Sequence, residues 1–117
     1  MTALHKPYDL EERSYQFARN VSGYIKNLPK NIQNYEYSKQ LIRSSGSVGA
    51  NYLEANESLG KRDFLMRLRI SKKEAKESWY WLRLSVPEEQ SRDIRDQLMQ
   101  EATELMKILG AIIEKSK

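Results

Sequence analysis

The chain contains no cysteine, one histidine, three prolines and five glycines in 117 residues. Without cysteine there can be no disulfide, thiolate metal site or cysteine nucleophile, and a reducing cytoplasm is the expected location. The single histidine, His5, precedes the first helical pattern and is expected on the surface. Di-iron bundles need Glu-x-x-His pairs on facing helices, so that cofactor is excluded, and no metal or other cofactor is expected. No apolar run approaches the ~20 residues of a membrane span, and MTALHKPYDLEE lacks an apolar signal region. Neither a membrane nor secretion is therefore expected. Charged residues make up 31% of the chain, but so few prolines and glycines suit a helical protein better than a disordered one. The length suits one domain with one core.

The sequence contains four stretches of helical periodicity. The first runs from Asp9 to about Asn27, with Asp9 and Glu12 spaced like a capping box. Leu10, Phe17, Val21, Tyr24 and Leu28 form its apolar face, and Leu28-Pro29 closes it. The second runs from about Gln33 to Glu57, with Leu41, Ser45, Val48, Tyr52, Ala55 and Leu59 facing inward and Gly60 as terminator. The third, Arg62 to Leu84, turns Phe64, Leu68, Ser71, Ala75, Ser78 and Leu82 to the core. Ser85 can then cap a fourth helix, with Glu88 reaching back, over about 88–115. Its stripe is Ile94, Leu98, Leu105, Leu109 and Ile112. No segment alternates with the period of a half-buried strand. Short connections predict an all-α, antiparallel up-down-up-down four-helix bundle.

Met99, Met106 and Ile113 add a second apolar row to the fourth helix. A face that wide suggests burial on two sides and hence self-association, or else a helix set deep in a monomer.

The stretch RSSGSVGAN, residues 43–51, interrupts this pattern with glycine and serine. A phosphate loop of the Walker type needs Gly-Lys-Ser/Thr after a strand. Here Gly46 and Gly49 stand three apart and Ala50-Asn51 follows, so that reading fails. A linker fails as well, because the apolar stripe continues through the segment without slipping. As a helix, Gly46, Gly49, Ala50 and Leu53 form a small-residue surface for close packing, which must offset roughly 1 kcal/mol per interior glycine. Arg43, Ser47, Asn51 and Glu54 form a polar stripe on another face. No histidine or second carboxylate accompanies them, so pairing between helices is the expected role and no catalytic residue is assigned.

The pattern LIRSSGSVGANYLEA resembles that of the small four-helix-bundle proteins encoded in intervening sequences of bacterial 23S rRNA genes. Their second helix carries Arg-Ser-x-x-Ser-x-x-x-Asn-x-x-Glu, matched here by Arg43, Ser44, Ser47, Asn51 and Glu54. Leu28-Pro29 and Asp63-Phe64 also look like the family, while Ala55 stands where members often have glycine. Such proteins are similar to the accessory protein of diversity-generating retroelements. The resemblance implies a ring-like homopentamer without established enzymatic activity, for which nucleic-acid binding is the usual suggestion.

Charge is concentrated in residues 59–86, which carry eight Lys/Arg against three Asp/Glu. Arg62, Arg69, Lys76 and Arg83 recur every seven residues, with Lys72 and Lys73 between them. On a helix this makes a basic band about 30 Å long, able to follow phosphates of RNA or DNA, or simply a solvated face. Glu74 and Glu77 interrupt the neighbouring surface. Trp79, Tyr80 and Trp81 cannot all point inward. Trp79 falls nearest the core, whereas Tyr80 and Trp81 suit base stacking or, preferentially, a subunit interface. The leading expectation is a non-enzymatic oligomer that binds nucleic acid through the third helix. The alternative is a protein-interaction scaffold or accessory subunit for a nucleic-acid enzyme.

Overall fold

The first helix is described from Pro7 onward, and proline is tolerated in a first helical turn because the N–H it lacks has no intrahelical partner there. A computed structural model describes residues 7–117, with side chains from residue 9 onward. His5 and the expectation for it lie outside the described residues. The elements are α1 (Pro7–Lys26), α2 (Ile32–Asn56), α3 (Lys61–Leu84), a 3-10 turn at Glu89–Ser91, and α4 (Arg92–Ser116). The described residues contain no strand, and no described helix is long and apolar enough to cross a membrane.

The expected boundaries need four corrections, each with a local cause. Asp9 lies inside the first turn of α1 and does not cap it, because the helix has already begun at Pro7. The dipole still favours a carboxylate there. Asn31 caps α2 by accepting the Asn34 N–H at 2.8 Å. At the other end Ser58 Oγ donates to Ala55 O at 2.7 Å and closes α2. Leu59 is thereby left in the connection, fully exposed, and Gly60 begins α3 rather than terminating α2. Ser85 does not cap the fourth helix. Its hydroxyl donates to Leu82 O at 2.6 Å and its N–H to Trp81 O, both at the end of α3. Glu88 accordingly precedes a 3-10 turn, and α4 begins only at Arg92.

Because the Ser85 hydroxyl already donates to Leu82, it accepts from the Tyr24 hydroxyl at 2.6 Å and ties α1 to the end of α3. Burial raises the Tyr24 phenol above its ordinary value.

The core draws on all four helices. Phe17, Val21, Leu41, Leu68, Leu82, Leu105 and Leu109 are almost completely sealed, each contributing on the order of 1.5–3 kcal/mol. Serines fill the α2–α3 seam and satisfy their hydroxyls across it. Ser71 Oγ donates to Val48 O at 2.7 Å, and Ser78 Oγ contacts Ser44 Oγ at 2.9 Å. Ile94, expected in the core, is 44% exposed. The expected interface row of α4 is partly covered within the chain. Ile113 is buried, while Met99 and Met106 pack against the core. The apolar face of α4 packs against α1 and α3, with Met99, Met106 and Ile112 only partly buried there.

One amide closes an end of the molecule. Asn34 is 2% exposed. Its Nδ2 donates to Pro29 O at 3.1 Å and Val86 O at 3.0 Å, and its Oδ1 accepts from Val86 N–H at 2.9 Å. A single side chain thus joins the α1–α2 connection to the α3–α4 connection.

The two glycines of RSSGSVGAN do different things. A Cβ on Gly49 would stand 2.9 Å from Ser14 Oγ, which already donates to Glu11 O at 3.0 Å. A Cβ on Gly46 would meet nothing within 4 Å. Gly46→Ala should therefore raise stability by about 0.5–1 kcal/mol, the ordinary helix-propensity gain. Gly49→Ala should gain less or lose stability, since Ser14 must give way. Denaturant midpoints of the two variants check this, and equal gains would show that α1 does not constrain position 49.

Candidate nucleic-acid interface

Residues three, four and seven apart share a helix face, so the α3 spacing fixes which cations stand together. Arg62, Arg69, Lys72, Lys73, Lys76 and Arg83 are all exposed on α3. The carboxylates of the same helix are held elsewhere. Arg43 of α2 reaches Glu77 Oε1 at 3.0 Å and Glu74 Oε1 at 3.4 Å. Glu74 is only 6% exposed, so a partner for its charge is needed there. The Glu74 contacts are longer than the 2.7–2.9 Å of a strong charge-assisted bond. They nevertheless hold both carboxylates toward α2, so that Glu74 is buried while Glu77, four residues after Lys73, stays half-exposed at the border of the basic face.

The polar stripe of α2 resolves into separate links to α3. Arg43 pairs with Glu77 and Glu74, while Asn51 Oδ1 accepts from Arg67 Nη1 at 3.3 Å. Asn51 Nδ2 donates to Ser47 O at 2.9 Å, so Ser47 takes part through its carbonyl. Ser44 is buried beside Ser78, off the stripe, and Glu54 is exposed to solvent. Glu77 and Arg67 were not anticipated as partners. Only their position on the opposing face of α3 identifies them.

The α4 side borders the basic face differently. Lys72 extends along α4, its Nζ 3.2 Å from where a Cβ on Gly110 would stand. Glu114 is the carboxylate near that end. Its pKa is lowered first by the hydrogen bond from Lys117, then by that lysine's charge, with Lys72 and Arg69 adding smaller effects.

The three aromatics divide among three directions. Trp79 packs on the core near Met99 and Thr103, and the Arg83 guanidinium lies over its ring at 5.5 Å. Trp81, expected at a subunit interface, is half-buried on the other side of α3, 6.2 Å from the Tyr37 ring. Its Nε1 is buried without an acceptor. Tyr80 and Trp81 form a T-shaped pair at 5.4 Å, and Tyr80 is 48% exposed. Tyr80 is thus the aromatic that the basic face offers to solvent.

Two other surfaces stand out. Tyr15 of α1 and Tyr35, Ile42 and Leu53 of α2 are 45–64% exposed, with Gly46 and Ala50 between the helices. The seven-residue spacing of Tyr35 and Ile42 was the available sequence signal. Between α1 and α4 lies an open groove lined in part by Gln16, Phe17, Asn20, Ile94, Gln97 and Leu98. Arg13 bridges it with paired bonds of 2.9 and 2.7 Å to Glu101, and these bonds raise the guanidinium pKa above its ordinary value. Among the described residues, no three His, Cys, Asp or Glu side chains are grouped to hold a metal ion.

The family model for the 23S rRNA-intervening sequence protein matches residues 6–111. A Bacteroides thetaiotaomicron VPI-5482 protein of unknown function, from the S23 ribosomal protein family, is 33% identical and superposes with a TM-score of 0.81. The match covers 92% of this chain and 97% of that one. No curated protein matches.

Proposed function

This chain belongs to the 23S rRNA-intervening sequence protein family, and we propose that it acts there as a non-enzymatic binder of RNA or DNA phosphates. The observation that carries this reading is the α3 face. Six cations stand exposed on it, while Arg43 of α2 pairs with Glu77 at its border and with the buried Glu74. Phosphates neutralised by such a face release counterions, and nothing on it is arranged to read base edges. Binding should be strong at low salt and weakly dependent on sequence.

The same reading has the chain folded as an antiparallel up-down-up-down bundle and assembled as a ring-like homo-oligomer, a pentamer in the cytoplasm. The order of cross-links supports the antiparallel topology, since Ser44, Val48 and Asn51 meet Ser78, Ser71 and Arg67 in turn. The exposed apolar edge of α1 and α2 supports assembly better than Met99, Met106 and Ile113 do, because those three pack within the chain. Several copies would multiply the basic field. A protein-interaction scaffold is the second reading, favoured by the exposed Tyr80 beside the half-buried Trp81.

Light scattering and anisotropy with a short RNA across a salt series test the proposal. Each phosphate contact should contribute a slope of about −0.7 to −0.9 in log K against log salt, so five or six contacts give about −4. Affinity independent of salt, or a protein complex that survives nuclease and high salt, would favour the scaffold.

A further inference from the structure

We infer that Tyr80 is a stacking platform for an unpaired base, which makes the α3 face selective for single-stranded nucleic acid. The inference rests on the phosphate-binding reading above and names the class of nucleic acid it takes.

Tyr80 is 48% exposed although Trp81 packs against it in a T-shaped pair at 5.4 Å and 67°. Trp81 in turn leans on Tyr37 at 6.2 Å. The Tyr80 ring is thus held against Trp81 on one side while nearly half of the residue faces solvent. An aromatic held this way loses little freedom when a second ring stacks on it.

The neighbours of Tyr80 determine what could cover it. Lys73, Lys76 and Arg83 lie seven and four residues before Tyr80 and three after it, on the same face of α3. All three are exposed, and the carboxylate beside the ring, Glu77 three residues before it, is paired with Arg43 at 3.0 Å. Arg83 is further positioned by its contact over the Trp79 ring at 5.5 Å. An apolar partner covering Tyr80 would have to desolvate these cations. A nucleotide strand would instead set a base on the ring and phosphates against the cations, satisfying both.

The distinction between strands follows from what each presents. A duplex offers backbone and base edges, while its π-faces are hidden in the stack. A single strand offers both phosphates and π-faces, and stacking tolerates any base. The cations therefore bind either form, and the ring adds affinity only to the unpaired one.

The test compares wild type, Tyr80→Leu and Tyr80→Phe on oligouridine, oligothymidine and an RNA duplex, each about 20 nucleotides long to exceed the basic face. Far-UV circular dichroism and a thermal melt establish that the variants are folded. Tyr80→Leu should weaken oligouridine binding roughly 5- to 150-fold, the equivalent of one stacked base. The salt slope should not change, because every cation remains. Duplex affinity should stay the same, and Tyr80→Phe should bind like wild type. Equal losses on oligouridine and oligothymidine support a site that accepts either single strand, and a loss confined to oligouridine supports it with RNA as the ligand. No loss on either single strand, or an equal loss on the duplex, overturns the platform while leaving phosphate binding intact. Wild type that binds none of the three probes overturns both readings.

Discussion

Reversing two charges on α3, Arg69→Glu with Lys76→Glu, should lower RNA affinity at moderate salt by about two to three orders of magnitude. Both side chains are exposed and stand seven residues apart on one face, so the pair spans the middle of the basic band. Each reversal leaves one phosphate without its cation and adds repulsion. The salt slope should become shallower by about 0.7–0.9 for every phosphate that is no longer neutralised. The fold should be unaffected. Glutamate is a good helix former, and no described hydrogen bond or ion pair of the core involves either residue. Anisotropy with a short RNA measures the weakening, while circular dichroism and light scattering check fold and assembly. Normal RNA binding by this double variant would rule out α3 as the site.

The largest expected effect on stability comes from Asn34→Ala. The substitution orphans the Val86 N–H and the carbonyls of Pro29 and Val86 in one step. Each buried polar group left unpaired costs about 1–3 kcal/mol. With water entering part of the space, a total near 3–4 kcal/mol is expected, or a thermal midpoint lower by about 10–15 °C. Equilibrium denaturation measures it. A loss below about 1 kcal/mol would mean that solvent already satisfies these groups.

Asn34 also marks where the sequence stopped being informative. The apolar residues Phe17, Val21, Leu41, Val48, Leu68 and Leu82 were readable because helical spacing puts them on one face, and they are buried. A buried asparagine has no such periodicity. Its partners lie in connections 5 and 52 residues away, and only the folded chain brings them together. Ser85 failed for the opposite reason. Its spacing to Glu88 suits a cap, but Leu82 O and Tyr24 compete for the same hydroxyl and hold it at α3.

The basic face was fully present in the sequence as a seven-residue repeat. What could not be read there was the direction of Glu74 and Glu77, because that depends on Arg43 approaching from another helix. Met99, Met106 and Ile113 show a related limit. Periodicity reports how wide an apolar face is, but not which neighbours meet it, and here α1 and α3 bury Ile113 while leaving Met99 and Met106 half-buried.

The Asn34 clamp ties the lifetime of the molecule to the covalent chemistry of one side chain. Asparagine is among the thermolabile residues, and its hydrolysis product is a carboxylate of nearly the same shape. An ionised aspartate at this position would still accept from Val86 N–H but would turn an oxygen toward Pro29 O and Val86 O, where a donor is needed. Ageing at a single atom would thus convert attraction into repulsion and release both connections at once. Asn34→Asp should accordingly unfold at a lower denaturant midpoint than wild type at neutral pH.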